Sequence, residues 1–218
     1  MIWFTSDTHF KDASIVRYIP RVVLEHVGCP TSFSDVKIRE WLDNYICEQW
    51  IQLVNPTDTV YHIGDVGKFK NDTEAYHFLS KLPGHKILIL GNHDVEEEYG
   101  VIGDPAQYWK AATFNAVHQY YKLGEFLHLQ HIPPYFTNVP YMWLYGHIHS
   151  IDMYRTITPT SCCVCSERFL YRPVSFDFIQ RMRKRILMDM NEDGQYDLMM
   201  PDDLAIAEEA QEANSLLK

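Results

Sequence analysis

Five short apolar runs in this chain end on the same kind of polar punctuation. MIWFTSDTH closes on Asp7 and His9, DTVYHIGD on Gly64-Asp65, and HKILILGNHD on Gly91-Asn92-His93-Asp94. EFLHLQH closes on His131, and YMWLYGHIH on Gly146-His147-Ile148-His149. Each run has the length and residue types of a buried strand. Parallel strands in α/β sheets open onto one crevice at their carboxyl ends, so neighbouring strands of this kind would bring their polar ends together. A glycine directly before three of the groups allows a sharp turn and a close backbone approach.

Helical patterns lie between the strands. Ile38, Trp41, Leu42, Tyr45, Ile46 and Leu53 recur at helical spacing until Asn55-Pro56 stops them. Ala75, Phe78, Leu79 and Leu82 share a face that ends at Pro83-Gly84. The stretch from Val95 to Val117 reads as loop with a helical piece. MYRTITP, SCCVCS and YRPVSF read as further β structure, and FDFIQRMRKRILMDM as a last helix. This alternation implies a layered α/β fold around a buried sheet. A chain of 218 residues with 46% hydrophobic content has enough apolar material for one sizeable core.

If the strand ends meet, their carboxylates, one amide oxygen and several imidazoles need a positive partner. Such a mixed set suits first-row divalent ions such as Mn, Fe, Zn or Ni. It holds more donors than one zinc tetrahedron uses. It fits two ions that share a carboxylate, with a histidine left over. Two ions roughly 3.5–4 Å apart can clamp a phosphoryl group and activate a water.

Taken in order, DTH, GD, GNHD, a later strand-end histidine and GHIH resemble the calcineurin-like metallophosphoesterases. The resemblance runs from Met1 to about Ile179 and is closest to the small bacterial and phage-type branch. It implies a four-layer α/β/β/α sandwich over residues 1–188. Residues 189–218 would then be an acidic extension, helical or partly disordered. It implies that Asp7, His9 and His149 hold one metal and that Asn92, His131 and His147 hold the second. Asp65 would bridge them, with manganese first among Mn, Fe, Zn and Ni. His93 would stay outside both coordination shells and protonate the leaving group. A metal-bridging hydroxide would attack a phosphomonoester or phosphodiester in line. A nucleotide pyrophosphohydrolase or a nuclease on the same site is the rival enzyme reading. A non-catalytic phosphoesterase-like scaffold is the other rival. Lys11-Asp12 stands where the family often has Gly-His. GDVGKF and GNHD depart from the GDxVDRG and GNHE of protein phosphatases, which favours a phosphodiesterase or a small-molecule phosphatase.

Other features carry blander readings. His131, at the strand end before Pro133-Pro134, is preferred to His128, which alternation puts on the opposite face. His62 reads as a core histidine, and Asp94 as a group that orients its loop or the neighbouring histidine. Cys162, Cys163 and Cys165 lack the second pair of a zinc site and read as small core residues. Five cysteines, three of them crowded together, fit a reducing cytoplasm better than a disulfide framework. Tyr154, Arg155 and Tyr171 are candidate crevice-lining residues. DMNEDGQYDLMM begins at Asp189 as a calcium loop does, but Met200 stands where the bidentate Glu belongs. From Asp189 to Lys218 there are nine acidic residues and one basic, so the first 188 residues carry only −2 of the net −10. That body offers no broad basic surface for nucleic acid. Arg181–Arg185 reads as a solvated helix face or a dock for the acidic tail. No apolar run is long enough to span a membrane.

Overall fold

The structure is a computed structural model that describes residues 1–135, 140–149 and 156–189. Apart from Asp189, the acidic extension and its calcium-loop-like stretch lie outside these residues, as do Tyr154 and Arg155.

Strands β1 (Ile2–Thr5), β2 (Thr59–His62), β3 (His85–Ile89) and β4 (Ala116–His118) run parallel, in the order β4-β3-β2-β1. Strand β9 (Val174–Ser175) closes this sheet antiparallel to β1. The second sheet has the order β5 (Tyr121–Leu123), β6 (Leu127–Leu129), β7 (Met142–Tyr145), β8 (Ser161–Cys163). Its last three strands are parallel, and β5 pairs antiparallel with β6.

Side chains alternate across each strand, so each sheet has two faces to cover. Phe4, Tyr61 and Ile89 of the first sheet meet Leu127, Leu129, Met142, Leu144 and Cys162 of the second in the inter-sheet core. The other face of the first sheet, with Trp3, Val60 and Leu88, packs under helices α1 (Arg21–His26), α2 (Asp35–Leu53), α3 (Asp72–Leu79) and α4 (Pro105–Ala111). Helix α2 supplies Ile38, Leu42, Ile46 and Trp50 to that layer. Helix α5 (Phe176–Asp189) adds Phe178, Ile179, Met182 and Ile186 to the inter-sheet core. Two parallel-rich sheets flanked by helices are the layered α/β class expected.

The stretch from Val95 to Val117 is more ordered than its sequence pattern suggests. Its loop holds 3-10 turns at His93–Val95 and Glu97–Tyr99 and then α4. The Asp104 carboxylate accepts from the Ala106 N–H and Pro105 takes the first turn, a strong helix start. Strand β4 follows, and β5 comes soon after it. Each has three residues and neither shows a clear alternation, so only pairing to a neighbour makes them strands.

The two sheets are joined where their strands end. Ser6, just past β1, bridges Cys165, just past β8, and the Ser166 N–H donates to the Ser6 carbonyl at 3.0 Å. The His147 N–H, past β7, donates to the carboxylate of Asp7, past β1, at 3.0 Å. The carboxyl ends of both sheets therefore share one crevice.

Candidate metal centre

The chain turns abruptly after β1, β2 and β7, and it does so largely on ionisable residues. Asp7, His9, Asp65 and His147 all have positive φ, between 43° and 70°. A residue with a Cβ held there costs of order 1 kcal/mol or more. Hydrogen bonds hold the turns. The Asp7 N–H donates to the Gly64 carbonyl at 2.9 Å, and the His9 N–H to the Asp65 carbonyl at 3.1 Å. The buried Asp94 carboxylate accepts from the N–H groups of Asp65, Val66 and Gly91, which ties the ends of β2 and β3 together. Helix α2 fixes the next loop, since Asp43 accepts from the Lys11 N–H at 3.1 Å.

Of the three punctuating glycines, only Gly64 needs its positive φ of 85°. The other two are required for space. A Cβ at Gly91 would overlap the Asp65 carboxylate, and one at Gly146 would overlap the Asp7 carboxylate and the Ser6 side chain.

Two donor sets result. Ligand atoms of Asp7, His9 and His149 lie within 4.8 Å of one another, and so do those of Asp65, His131 and His147. The Asn92 Oδ1 is 3.1 Å from His131 Nε2 and so adjoins the second set. One Asp65 oxygen lies 3.2 Å from His131 Nε2 and 3.7 Å from His9 Nε2, between the two sets. The other accepts from the His93 N–H at 3.0 Å. Partners outside the crevice orient the rings. The His131 Nδ1–H donates to the Ile63 carbonyl at 2.8 Å, which leaves Nε2 facing Asp65. His149 Nδ1 meets Glu167 at 2.8 Å and turns its Nε2 toward Asp7. Second partners of this kind set the tautomer of metal-binding histidines.

The donors fit divalent ions on a further observation. His9 is 1% exposed, yet neither ring nitrogen has a hydrogen-bond partner. Buried polar atoms of this kind are rare, because an unmet hydrogen bond costs about 1–3 kcal/mol. A cation at Nε2 would meet that need. The electrostatics agree. Burial pushes His9 down to about 4, against the pull of Asp65 and Asp7, so its ring is neutral and free to ligate. Burial works the same way on His131, but Asp7 and Asp65 outweigh it and raise it to about 10. Burial also opposes protonation of His149, where Glu167 and then Asp7 prevail and raise it to about 9. The crevice is negative enough to hold protons on buried rings, and cations compete for those same positions.

His93 lies outside both sets. Its ring stacks on Tyr99 with centroids 4.4 Å apart, and its Nδ1 is 3.1 Å from Glu96. The Tyr99 hydroxyl donates to Asp12 at 3.0 Å. Asp12 thus anchors Tyr99 where the family often has a histidine. Sequence reasoning missed Glu167 and Tyr99, which carry no motif and reach the site through the fold, and Glu96, whose only signal is its place three residues after His93. Cys165 is a buried core residue, as read, and its thiol also donates to the Asp7 carboxylate at 3.2 Å.

Two other histidines have different surroundings. His128 stacks on Tyr141 with centroids 3.7 Å apart, on the face opposite the inter-sheet core. His62 is buried against the Thr8 hydroxyl at 2.9 Å. Tyr171 is not a crevice residue. It is 2% exposed and packs in the helix-side core, because the turn at Leu170 and Tyr171 directs it inward.

Comparison with known proteins adds to this geometry. The family model for calcineurin-like phosphoesterases matches residues 1–161. The uncharacterised protein MJ1445 of Methanocaldococcus jannaschii is 30% identical over 188 residues, 83% of this chain and 90% of that protein. The Gene 66 protein of Mycobacterium phage L5 is 34% identical over 96 residues, 42% of this chain and 39% of that protein. The crystal structure of AQ665 from Aquifex aeolicus, of unknown function, aligns with a TM-score of 0.55 at 23% identity, covering 84% of this chain and 98% of that one, and so shares its fold. A family match across both sheets, over strand ends that gather these donors, shows that the chain belongs to the calcineurin-like phosphoesterases.

Proposed function

We propose that this metal-dependent phosphoesterase works with two divalent ions on a phosphomonoester or phosphodiester. The observation that carries the reading is the pair of donor sets with Asp65 between them and the unpartnered His9 ring beside it. Asp7, His9 and His149 would hold one ion. Asn92, His131 and His147 would hold the other, and Asp65 would be common to both. The mixed oxygen and nitrogen donors suit Mn, Fe, Zn or Ni. When bound, such ions supply Lewis acidity to the phosphoryl oxygens and lower the pKa of water toward neutrality.

The remaining work falls to the protein. Glu96 at Nδ1 orients His93, so that Nε2 can give its proton to the departing oxygen. Tyr99 fixes that ring by stacking. Every donor position is filled, which argues against a non-catalytic scaffold. The test is turnover of p-nitrophenyl phosphate and of bis(p-nitrophenyl) phosphate by metal-stripped protein reloaded with Mn²⁺, Fe²⁺, Zn²⁺ or Ni²⁺. Metal-dependent release of nitrophenol is expected, and the ratio of the two rates reports monoester against diester preference. No release with any ion across pH would sink the reading.

A further inference from the structure

We propose that the cleft beside the second donor set seats the nucleoside of a nucleotide ester. This rests on the phosphoesterase reading and names its substrate class. The cleft of ≈ 320 Å³ opens between the ends of β3, β4 and β6 and shares Asn92 and His131 with the candidate metal centre. A group seated there is joined directly to a phosphate held at the metals.

The lining decides the chemistry. Leu90, Val95 and Ile132 form apolar walls, and Gln119 and Gln130 add carboxamides. Among the described residues, no lysine, arginine or carboxylate lines it. The substrate's organic group is therefore uncharged, which disfavours polyphosphates and phosphosugars bearing further anions. Val95 and Ile132 are 47% and 53% exposed, so apolar surface is left to water at the rim of a polar site. The flat face of a base would cover it. A carboxamide offers both a donor and an acceptor, the pairing that base edges use. Gln130 is already oriented, since its Nε2–H donates to the Ile132 carbonyl at 2.6 Å. The volume lies at the small end of ligand sites, about 300–1,000 Å³, and suits one nucleoside rather than a polymer.

The opposite flank has no such character. There Lys11 pairs with Glu74 at 2.7 Å and Lys68 with Glu98 at 3.1 Å, and these charges line a separate cleft of ≈ 480 Å³. A heterocycle gains little among self-paired charges.

The test uses the Mn²⁺-loaded protein. kcat/KM is measured for the p-nitrophenyl ester of thymidine 5′-monophosphate and for methyl p-nitrophenyl phosphate. The two share a leaving group and differ in the nucleoside. The nucleoside ester should be favoured by about tenfold or more, and both Ile132→Glu and Gln119→Ala should reduce that ratio. Both residues are exposed, so neither exchange empties a core. A ratio near one in the native protein, or a ratio unchanged in both variants, overturns the proposal. Calorimetric binding of thymidine 5′-monophosphate against inorganic phosphate reads the cleft without turnover. Nucleotide bound no more tightly than phosphate also overturns it. Suppose neither ester is hydrolysed, yet the nucleotide binds about tenfold more tightly than phosphate and Ile132→Glu abolishes the difference. The cleft assignment then stands and the phosphoesterase reading falls.

Discussion

His93 follows Asn92 in the chain and its N–H meets Asp65, but its ring stacks on Tyr99 and its Nδ1 meets Glu96, so the ring is in neither donor set. His93→Ala should therefore keep both ions, measured by elemental analysis, while turnover falls by about 10²–10⁴. A retained rate would remove the role assigned to it. Asp65→Asn should act differently and weaken both ions at once, because one carboxylate lies between the two sets. Full occupancy of either site in that variant would show that Asp65 is not shared. Away from the crevice, Asp58 offers a pH-dependent contact. Burial pushes its carboxyl up, but hydrogen bonds from the Met1 amino group, the Asn55 N–H and the Trp3 indole outweigh this and hold it at about 2. A folded-state value below the ordinary one stabilises above about pH 4, and the contribution is lost as pH falls toward 2. Denaturant midpoints of the native protein and Asp58→Asn should differ at pH 5 and converge as pH falls toward 2. A gap that stays constant would show that this contact does not titrate as described.

The elements differ in how much of them could be read from sequence. Helix α2 was legible because its apolar residues return every third or fourth position and then stop before Pro56. Strands β1, β2, β3, β6 and β7 were legible as buried runs. The short edge strands β4 and β5 were not, since three residues carry no period and their hydrogen bonds come from a neighbouring strand. Buried strands also set the energetic scale. Leu144 on β7 is fully buried between the sheets. Leu144→Ala should cost about 2–5 kcal/mol in urea unfolding, through lost transfer energy and an unfilled cavity. A loss below about 1 kcal/mol would mean that the two sheets are not packed as described.

At the scale of the molecule, the negative crevice is a cost to the metal-free fold that bound ions would relieve. Saturation at about a hundred times Kd adds about 2.7 kcal/mol to the folded state. For a chain of this size that raises Tm by about 5–10 °C. Thermal unfolding with added Mn²⁺ and after chelation should show this difference, and Asp65→Asn should lose most of it. No shift on metal addition would count against a built metal site. Among the described residues, no helix is long and apolar enough to cross a membrane. The local chemistry was written in the sequence: strand periodicity, helix stops, and the aspartates, asparagine and histidines that end the apolar runs. Those are properties of neighbours along the chain, where residue type and spacing act directly. The fold alone decided which strand ends face one another and that Asp65 lies between two donor sets. It also decided that Glu167, Cys165 and Tyr99 serve as supports, and that Gly91 and Gly146 make room for carboxylates. Most of these contacts join segments far apart in sequence, and no local pattern records them, because they form only when neighbouring strands align and the two sheets pack with their carboxyl ends together.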